Sequence, residues 1–339
     1  MEHPFDWENR ESAEARSARR RGRALLAMLL ILLLVLCAVA FTLLRDRLAA
    51  QGAAEASPSP AVSAAATESG EPIQGSAPQA PPADAGLLVS FLDVGQGDCI
   101  FLRAPSGKTM LVDGGPEGSF PVIDAYLSAL GVAGLDVVLA SHLHEDHIGG
   151  LIKVVDSYPI GEFYYPPFGA ESETVFQLLD ALKESQAVVK QPLAGVDTMI
   201  PWDDDVDVRI LAPYDTVYED FNDTSYILRV RYGSTAVLLT GDSTDLGERL
   251  ALKAQPNGYF RADVLKVAHH GSADSTFEEF LDAVSPAIAV ISVGAGNPYE
   301  HPDLSLLDRL LERGITVYRT DQDGTITLLL DGTSVSVIQ

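Results

Sequence analysis

The chain concentrates its metal-binding residue types in one short stretch, Ala140-Ser141-His142-Leu143-His144-Glu145-Asp146-His147-Ile148-Gly149-Gly150. Four potential ligands fall within six residues: His142, His144, Asp146 and His147. The apolar run Asp136–Ala140 predicts a buried strand, so these side chains are expected on the loop after it. Such a loop can aim two of them at one ion and two at a second, and imidazole with carboxylate suits Zn, Mn or Fe. Three of the chain's seven histidines lie here, which argues against a chance surface loop.

Short apolar runs on both sides of this stretch alternate between strand and helix periodicity. Glycine-bearing turns separate three predicted strands, Leu87–Leu92, Cys99–Arg103 and Thr109–Val112. Tyr226–Arg231 and Ala236–Leu239 flank Tyr232-Gly233-Ser234, which is a hairpin signal. Strands that come both as hairpins and as βα units indicate mixed sheets with helices outside. The sequence therefore predicts an α/β sandwich over residues 86–339.

Two helices near the carboxyl end are predicted from their capping residues. Ser275 followed by Glu278 is a capping box, which predicts a helix at Thr276–Val284. Asp303 is expected to cap a second helix, which ends at Gly314. The side chains expected on the apolar side of that second helix are Leu304, Leu307, Leu310 and Leu311.

Five further motifs occur in order along the same part of the chain. They are Phe91-Leu92-Asp93-Val94-Gly95-Gln96-Gly97-Asp98, Leu111-Val112-Asp113-Gly114-Gly115, Leu239-Thr240-Gly241-Asp242, Val267-Ala268-His269-His270-Gly271-Ser272 and Asn297-Pro298-Tyr299-Glu300-His301-Pro302. Together with the His-x-His-x-Asp-His stretch, they resemble the metallo-β-lactamase superfamily, and more narrowly the extracytoplasmic hydrolase domain of ComEC-type competence proteins. The resemblance covers residues 86–339 and does not include the multi-span channel of that family. It implies a metallo-β-lactamase-type αββα sandwich and a metal-dependent hydrolase.

The resemblance also implies a cofactor, two divalent metal ions, either zinc or manganese. His142 and His144 would bind the first ion. Asp146 and His147 would bind the second. Asp242, at the end of an apolar strand, would be the carboxylate that bridges the two ions.

The sequence leaves the identity of one ligand of each ion undetermined. Either His269 or His270 would complete the second site, and His269 is favoured because it follows the predicted strand Asp263–Val267. Typical superfamily members carry another histidine between the main motif and the bridging aspartate, but this chain has none between His147 and His269. The first site is therefore incomplete unless an oxygen ligand or water takes that position.

Three residues are expected to take part in the chemistry around the ions. Asp113 would orient ligands or the attacking water, and Asp146 could also orient that water. His301, in a proline-flanked turn, would face the site and donate to a phosphate oxygen or leaving group. Asp98, in a glycine-bordered turn, is a further candidate for a place near the ions.

The amino-terminal part of the chain differs in composition from residues 86–339. Ala24–Leu44 is a run of 21 uncharged, mostly apolar residues, long enough to cross about 30 Å of hydrocarbon as a helix. The run is preceded closely by five arginines, so the amino terminus is expected in the cytoplasm and the catalytic domain outside the cell; they are Arg16, Arg19, Arg20, Arg21 and Arg23. The organisation predicted is a basic cytoplasmic segment 1–23, a transmembrane signal-anchor 24–44 and a disordered Ala/Pro/Ser-rich linker 45–85. The alternative is a cleaved signal peptide, whose apolar region is usually shorter.

The formal net charge of -25 argues against a stable, non-specific grip on nucleic acid, since phosphate contacts need Lys and Arg. A nucleic-acid substrate is still compatible with this charge, because bound cations supply local positive charge. The favoured function is a membrane-anchored phosphodiesterase or nuclease whose substrate is a phosphodiester, possibly DNA. The alternatives are a hydrolase of lactones, β-lactams or other carboxylic esters and amides, and a non-catalytic DNA-uptake accessory.

Overall fold

The computed structural model describes residues 85–338, except 170, 196–197 and 215, and describes only the backbone of residue 257. The predicted cytoplasmic segment, the transmembrane helix at 24–44 and the linker up to residue 84 lie outside the described residues. Within 85–338, apart from those gaps, no helix has the length and apolar character needed to cross a membrane.

Fourteen strands are described, and they form two sheets. In chain order they are β1 (Leu87–Phe91), β2 (Ile100–Arg103), β3 (Thr109–Val112), β4 (Leu135–Leu139), β5 (Ile160–Tyr164), β6 (Val188–Lys190), β7 (Val206–Ala212), β8 (Ile227–Tyr232), β9 (Thr235–Leu239), β10 (Val264–Lys266), β11 (Ile288–Ile291), β12 (Thr316–Arg319), β13 (Ile326–Leu330) and β14 (Val335–Val337). The first sheet has the order β14-β13-β1-β2-β3-β4-β5-β6, and the second has the order β12-β11-β10-β9-β8-β7.

Both sheets are mixed, as the sequence predicts. In the first sheet, β1, β2 and β3 pair antiparallel, whereas β3 to β6 pair parallel. In the second sheet, β7, β8 and β9 pair antiparallel, whereas β9 to β12 pair parallel. The hairpin predicted around Tyr232-Gly233-Ser234 is confirmed, since it joins β8 to β9.

The helices fall between the parallel strands and around the site. They are α1 (Phe120–Ala129), α2 (Glu145–Ile148), α3 (Leu151–Ser157), α4 (Glu173–Glu184), α5 (Asp245–Ala254), α6 (Glu278–Val284), α7 (Leu304–Glu312) and α8 (Thr320–Asp323). Short 3-10 turns occur at Phe221–Thr224, Asn257–Tyr259 and Ala268–Gly271.

Three apolar clusters account for the layered architecture. One joins the two sheets and includes fully buried side chains of both, such as Val89 and Val208. A second packs the outer face of the first sheet against α1, α3 and α4, with Leu178 of α4 buried there. A third covers the outer face of the second sheet with α5, α6 and α7, and Phe280 and Leu306 are fully buried in it. Helices therefore cover both outer faces, in the predicted αββα arrangement.

The predicted capping box at Ser275 is wrong. The hydroxyl of Ser275 donates to the carbonyl oxygen of Ala268 at 2.9 Å, and the helix begins only at Glu278. The carboxylate of Glu248, buried in α5, instead accepts the amides of Thr276 and Phe277 at 2.8 and 3.2 Å. A partner 28 and 29 residues away in the chain replaces the local cap.

The predicted apolar side of α7 is also partly wrong, although its cap is confirmed. The carboxylate of Asp303 accepts the amide of Ser305 at 2.8 Å. Leu306 and Leu310 are the fully buried residues, whereas Leu304 and Leu311 are 76% and 65% exposed. The buried face of the helix therefore differs from the expected one, because Leu306 packs into the third apolar cluster.

Candidate metal centre

The predicted site residues follow the carboxyl ends of four strands. Asp113 follows β3, and the histidine-rich stretch follows its parallel neighbour β4. Asp242 follows β9, and His269 and His270 follow its parallel neighbour β10. Because parallel strands end at the same edge of a sheet, each sheet brings its pair of loops together there, which is where ligands bind in open α/β sheets.

Four side chains from these loops form one group, here called the four-residue cluster, in which three are buried and Asp146 is partly exposed: Asp146, His147, Asp242 and His270. One ligand atom of each lies within 4.8 Å of the others. Nε2 of His147 and Nε2 of His270 lie 3.2 and 3.3 Å from the same oxygen of Asp242. Nε2 of His270 also lies 3.3 Å from Asp146. These are the residue types and spacings of a transition-metal site.

The structure brings His270 into this cluster and does not bring His269, the residue favoured from the sequence. β10 ends at Lys266, and both histidines then adopt left-handed backbone conformations, with φ of 50° and 53°. Nδ1 of His270 lies 2.9 Å from the carbonyl oxygen of Ser292, which leaves its Nε2 facing Asp242. Nδ1 of His269 lies 3.2 Å from Asp274 instead. The expectation for His269 rested on its place directly after the strand, and this left-handed turn makes the next residue the one that faces Asp242.

The other two predicted ligands, His142 and His144, form a second group that is here called the histidine pair. Their ring centroids are 4.6 Å apart, and His142 lies 4.2 Å from the ring of His147. Burial and the nearby His147 lower the pKa of His142 well below its usual value. His142 is therefore neutral at pH 7, the form in which imidazole binds metals.

Asp113 supports the four-residue cluster from behind. One of its oxygens lies 2.9 Å from Nδ1 of His147, and the other accepts the amide of Ser141 at 2.6 Å. Asp113 is 1% exposed and does not line the cavity above the cluster. Of the two roles predicted for it, this position fits the orientation of a ligand and not the orientation of water.

Asp98 also lies behind the cluster, beside a lysine that the sequence analysis did not single out. Nζ of Lys266 lies 2.7 Å from Asp98, and both side chains are fully buried. The second oxygen of Asp98 lies 3.5 Å from Nδ1 of His270. The available signal was a lysine inside the apolar strand Val264–Lys266, since a buried lysine requires a partner.

Gly97 allows the Asp98 loop to reach the main histidine-rich loop. Its φ is 143°, and a Cβ atom there would lie 2.2 Å from the carbonyl oxygen of Asp146. The amide of Asp98 donates to that same oxygen at 3.2 Å. Any larger residue at 97 would separate Asp98 from the cluster.

An open cavity of about 430 Å³ lies above these groups. Asp146, with 32% of its side chain exposed, lines it together with His144, Asp242 and His270. His301 lines the cavity as the sequence predicts, and the exposed ring of Tyr299 stacks on it at 5.6 Å. Burial and the neighbouring His269 and His270 lower the pKa of His301, so its ring is neutral at pH 7.

The imidazoles and carboxylates of the cluster shift one another's pKa values towards their charged forms. Burial would lower the pKa of His270, but the carboxylates of Asp242 and Asp146 raise it to about 10. Burial would likewise raise the pKa of Asp242, but His147 and His270 hold it well below its usual value. Without a cation, protons on the imidazoles therefore balance the buried carboxylates.

The residues fit divalent cations. Nε2 of His142, His147 and His270 and one oxygen of Asp242 are buried and make no hydrogen bond. Of these atoms, Nε2 of His147 and of His270 still form ion pairs with the other oxygen of Asp242, whereas Nε2 of His142 and Oδ1 of Asp242 do not. An unpartnered buried polar atom costs about 1–3 kcal/mol, so these two atoms in neighbouring ligands indicate that cations are their partners. Asp98, Asp113 and His147 also lie close enough to hold an ion. However, Lys266 already neutralises Asp98, and His147 Nδ1 already meets Asp113, so a separate ion there is unnecessary.

Comparisons with known proteins agree with the fold. A family model described as the metallo-beta-lactamase superfamily matches residues 92–295. ComE operon protein 3 of Bacillus subtilis (strain 168) is 32% identical over 255 residues, which are 70% of this chain and 32% of the relative. Competence protein ComA of Neisseria gonorrhoeae is 32% identical over 239 residues, 70% of this chain and 31% of the relative. Both are ComEC-type competence proteins, so the predicted resemblance is confirmed.

The chain spans about a third of the length of these curated relatives. Among solved structures, the diiron β-hydroxylase CmlA from Streptomyces venezuelae aligns with a TM-score of 0.47 and 16% identity, over 72% of this chain and 54% of that one.

Proposed function

We propose, from the premise that this chain belongs to the metallo-β-lactamase superfamily, that it hydrolyses phosphodiesters with two divalent metal ions. One observation supports this proposal above others. The four-residue cluster and the histidine pair lie together at an open cavity, and their buried ligand atoms lack hydrogen-bond partners. Such an arrangement suits a reaction in which both an attacking and a leaving oxygen need stabilisation.

Each ion would have its own ligands. His142 and His144 would hold one ion, the remaining cluster residues would hold the other, and Asp242 would be shared. Two bound ions supply Lewis-acid chemistry, which activates water at neutral pH and stabilises a leaving oxygen. Asp113 fixes the ring of His147 through Nδ1 and is a positioning residue.

Two groups that face the cavity would act on the substrate. The exposed carboxylate of Asp146 would accept a hydrogen bond from the attacking water and orient it. The neutral ring of His301 would donate its N–H to a phosphate oxygen or to the leaving group. Both roles require only the hydrogen-bond reach typical of general acid–base residues.

The choice of a phosphodiester over a carboxylic ester rests on the relatives. Two of them are named as a ComE operon protein and a competence protein, which connects the fold with DNA uptake. The net charge of -25 disfavours a long polyanion bound along the surface. A short DNA end or a small phosphodiester that reaches the ions directly is therefore the substrate we propose.

We place the catalytic domain outside the cell, held by the predicted anchor at 24–44. The support is the uncharged run Ala24–Leu44 and the arginines before it. Protease added to intact cells is expected to remove a carboxyl-terminal tag from this chain. Full protection of the tag in intact cells, with digestion after lysis, would contradict this topology.

The activity is tested with the purified full chain, supplied with Mn²⁺ or Zn²⁺. Bis-p-nitrophenyl phosphate and a single-stranded oligonucleotide are the substrates, and His144→Ala is the inactive variant. His3→Ala is the matched control, because it removes a histidine from the predicted cytoplasmic segment. We expect metal-dependent cleavage of at least one substrate, which is lost in His144→Ala and retained in His3→Ala.

The pattern of cleavage distinguishes the candidate functions. Cleavage of both substrates supports a nuclease, and cleavage of the small diester alone supports an envelope phosphodiesterase. Cleavage of neither, with turnover of a lactone or a β-lactam, would replace the proposal by the carboxylic ester and amide hydrolase. No turnover of any of them would favour the DNA-uptake accessory.

A further inference from the structure

The histidine pair lacks a ligand that the four-residue cluster has. His142 and His144 would supply two nitrogen atoms and would share Asp242, which makes three protein ligands, whereas the cluster supplies four. Since no histidine lies between His147 and His269, the missing protein ligand must be of another type.

Asn222 lies in the right place to be that ligand. It belongs to the 3-10 turn Phe221–Thr224 before β8, and it lines the same cavity as His144 and Asp242. Its side chain is buried, with 8% of the residue exposed, and its Oδ1 atom makes no hydrogen bond. An amide oxygen in this situation lacks a partner that native structures almost always provide.

The backbone ties this turn to both parts of the metal centre. The amide of Tyr226 donates to the carbonyl oxygen of Ser141, the residue before His142, at 2.8 Å. The amide of Asp242 donates to the hydroxyl of Ser225 at 3.1 Å. Asn222 is therefore held beside both groups by bonds that do not involve its own side chain.

A chain of contacts orients the Asn222 amide. Nδ1 of His269 lies 3.2 Å from the carboxylate of Asp274, so this nitrogen donates. In the neutral ring with its proton on Nδ1, Nε2 of His269 accepts from Nδ2 of Asn222 at 3.4 Å. With its amino group used in this way, Asn222 keeps Oδ1 free. His269, which does not enter the four-residue cluster, thus becomes a positioning residue for Asn222.

The neighbouring carboxylate of Asp223 is not an alternative. It is buried, and its Oδ1 already accepts hydrogen bonds from the amide and hydroxyl of Thr244 and from the amide of Gly247. Of these two adjacent buried side chains, only Asn222 lines the cavity.

We propose that Oδ1 of Asn222 is a further protein ligand of the ion held by His142 and His144, beside the shared Asp242. The inference rests on the two-ion centre proposed above. A neutral amide oxygen is a harder donor than imidazole, so this site should favour Mn²⁺ over Zn²⁺ relative to a site with three histidines. An asparagine ligand in place of a histidine ligand would thus select the metal.

The test counts and titrates metal ions in the full chain. Bound Mn²⁺ and Zn²⁺ are measured after dialysis, and their affinities are measured by calorimetry. Asn222→Ala is expected to weaken one of two binding events about 10–100-fold, since one ligand is removed. Asn222→His is expected to restore that event and to shift its Zn²⁺-over-Mn²⁺ preference upward by about tenfold or more. His269→Ala should weaken the same event by less than Asn222→Ala does.

Two further results separate this inference from the two-ion proposal. His142→Ala is expected to lose the same binding event as Asn222→Ala, whereas His270→Ala should lose the other. If the unaltered chain binds no second ion, the two-ion proposal itself fails. If it binds two ions and Asn222→Ala keeps both affinities, with Asn222→His keeping the metal preference, only the role of Asn222 is overturned. Circular dichroism spectra check that each variant is folded.

Discussion

The two parts of the metal centre are built in different ways. The four-residue cluster draws its ligands from loops after three strands, and a second layer of buried groups holds them. Asp113 meets His147, and the Asp98–Lys266 pair lies behind His270. The histidine pair comes from one loop, and its further ligand is an asparagine on a 3-10 turn.

This difference indicates two ions held with unequal strength. Supporting residues that fix ligand rings raise metal affinity, and the cluster has more of them. We therefore expect the cluster to bind its ion more tightly than the histidine pair. The occupancy of the weaker site would then depend on the supply of metal. The following perturbations test this comparison.

The largest effect is expected from Asp242→Ala, because this carboxylate is shared. Both binding events should weaken, and phosphodiester cleavage should fall on the order of 10³-fold. Metal counting after dialysis and initial rates measure the two effects. Asp245→Asn, at an exposed carboxylate three residues on, is the matched control and should change neither. Loss of only one ion in Asp242→Ala would show that the sites do not share this residue.

Lys266→Met tests the support behind the cluster. It leaves Asp98 as an uncompensated buried charge, so we expect about 3 kcal/mol less free energy of unfolding. Urea unfolding of the metal-free chain measures this change. The double variant with Asp98→Asn should recover part of the loss, because both charges are then removed. A double variant as unstable as the single one would argue against a functional pair.

His270→Ala and His269→Ala separate two adjacent residues of identical type. His270→Ala is expected to weaken the tighter binding event about 10–100-fold, whereas His269→Ala should leave that event unchanged. Calorimetric titration with Zn²⁺ distinguishes them. Equal weakening of the tighter event in both variants would contradict the positions of the two rings.

The pH dependence of metal binding follows from the raised pKa values. His270, whose pKa is raised to about 10, and His147, whose pKa is also raised, hold protons at pH 7 in the metal-free chain. Binding at the cluster should therefore release up to two protons, and affinity should rise between pH 6 and 9. Calorimetry in buffers of different ionisation enthalpy counts these protons. The histidine pair should release fewer, because the pKa of His142 is lowered.

The same raised pKa values set the stability of the metal-free chain. A folded-state pKa of about 10 for His270 exceeds the unfolded value of about 6.5. The corresponding stabilisation is complete below pH 6.5 and is lost as the pH rises through 10. A metal-free chain whose unfolding free energy did not decline over this range would contradict protonated imidazoles in the cluster.

The sequence predicted the features that local patterns specify. The two mixed sheets, the hairpin between β8 and β9 and the histidine-rich loop after β4 all follow from periodicity and short motifs. The sequence did not distinguish His269 from His270, because a turn of two left-handed residues decides which ring faces Asp242. Neither Asn222 nor Lys266 was singled out, since their partners lie far away in the chain.

The capping of α6 also depends on a partner that lies far away in the chain. Ser275 and Glu278 have the spacing of a local cap, yet Glu248 from α5 accepts the amides of Thr276 and Phe277. Tertiary contacts replaced a local signal at this point. Residues whose role depends on a distant partner are therefore the ones that sequence patterns miss in this chain.

The proposal that two ions act together is tested most directly by a stepwise metal titration. Mn²⁺ is added to the metal-free full chain, and bound metal and hydrolysis of bis-p-nitrophenyl phosphate are measured in the same samples. We expect little hydrolysis while the first ion binds, a steep rise as the second binds, and a plateau at two ions per chain. A full rate with one bound ion, or no hydrolysis with two, would contradict the proposed mechanism.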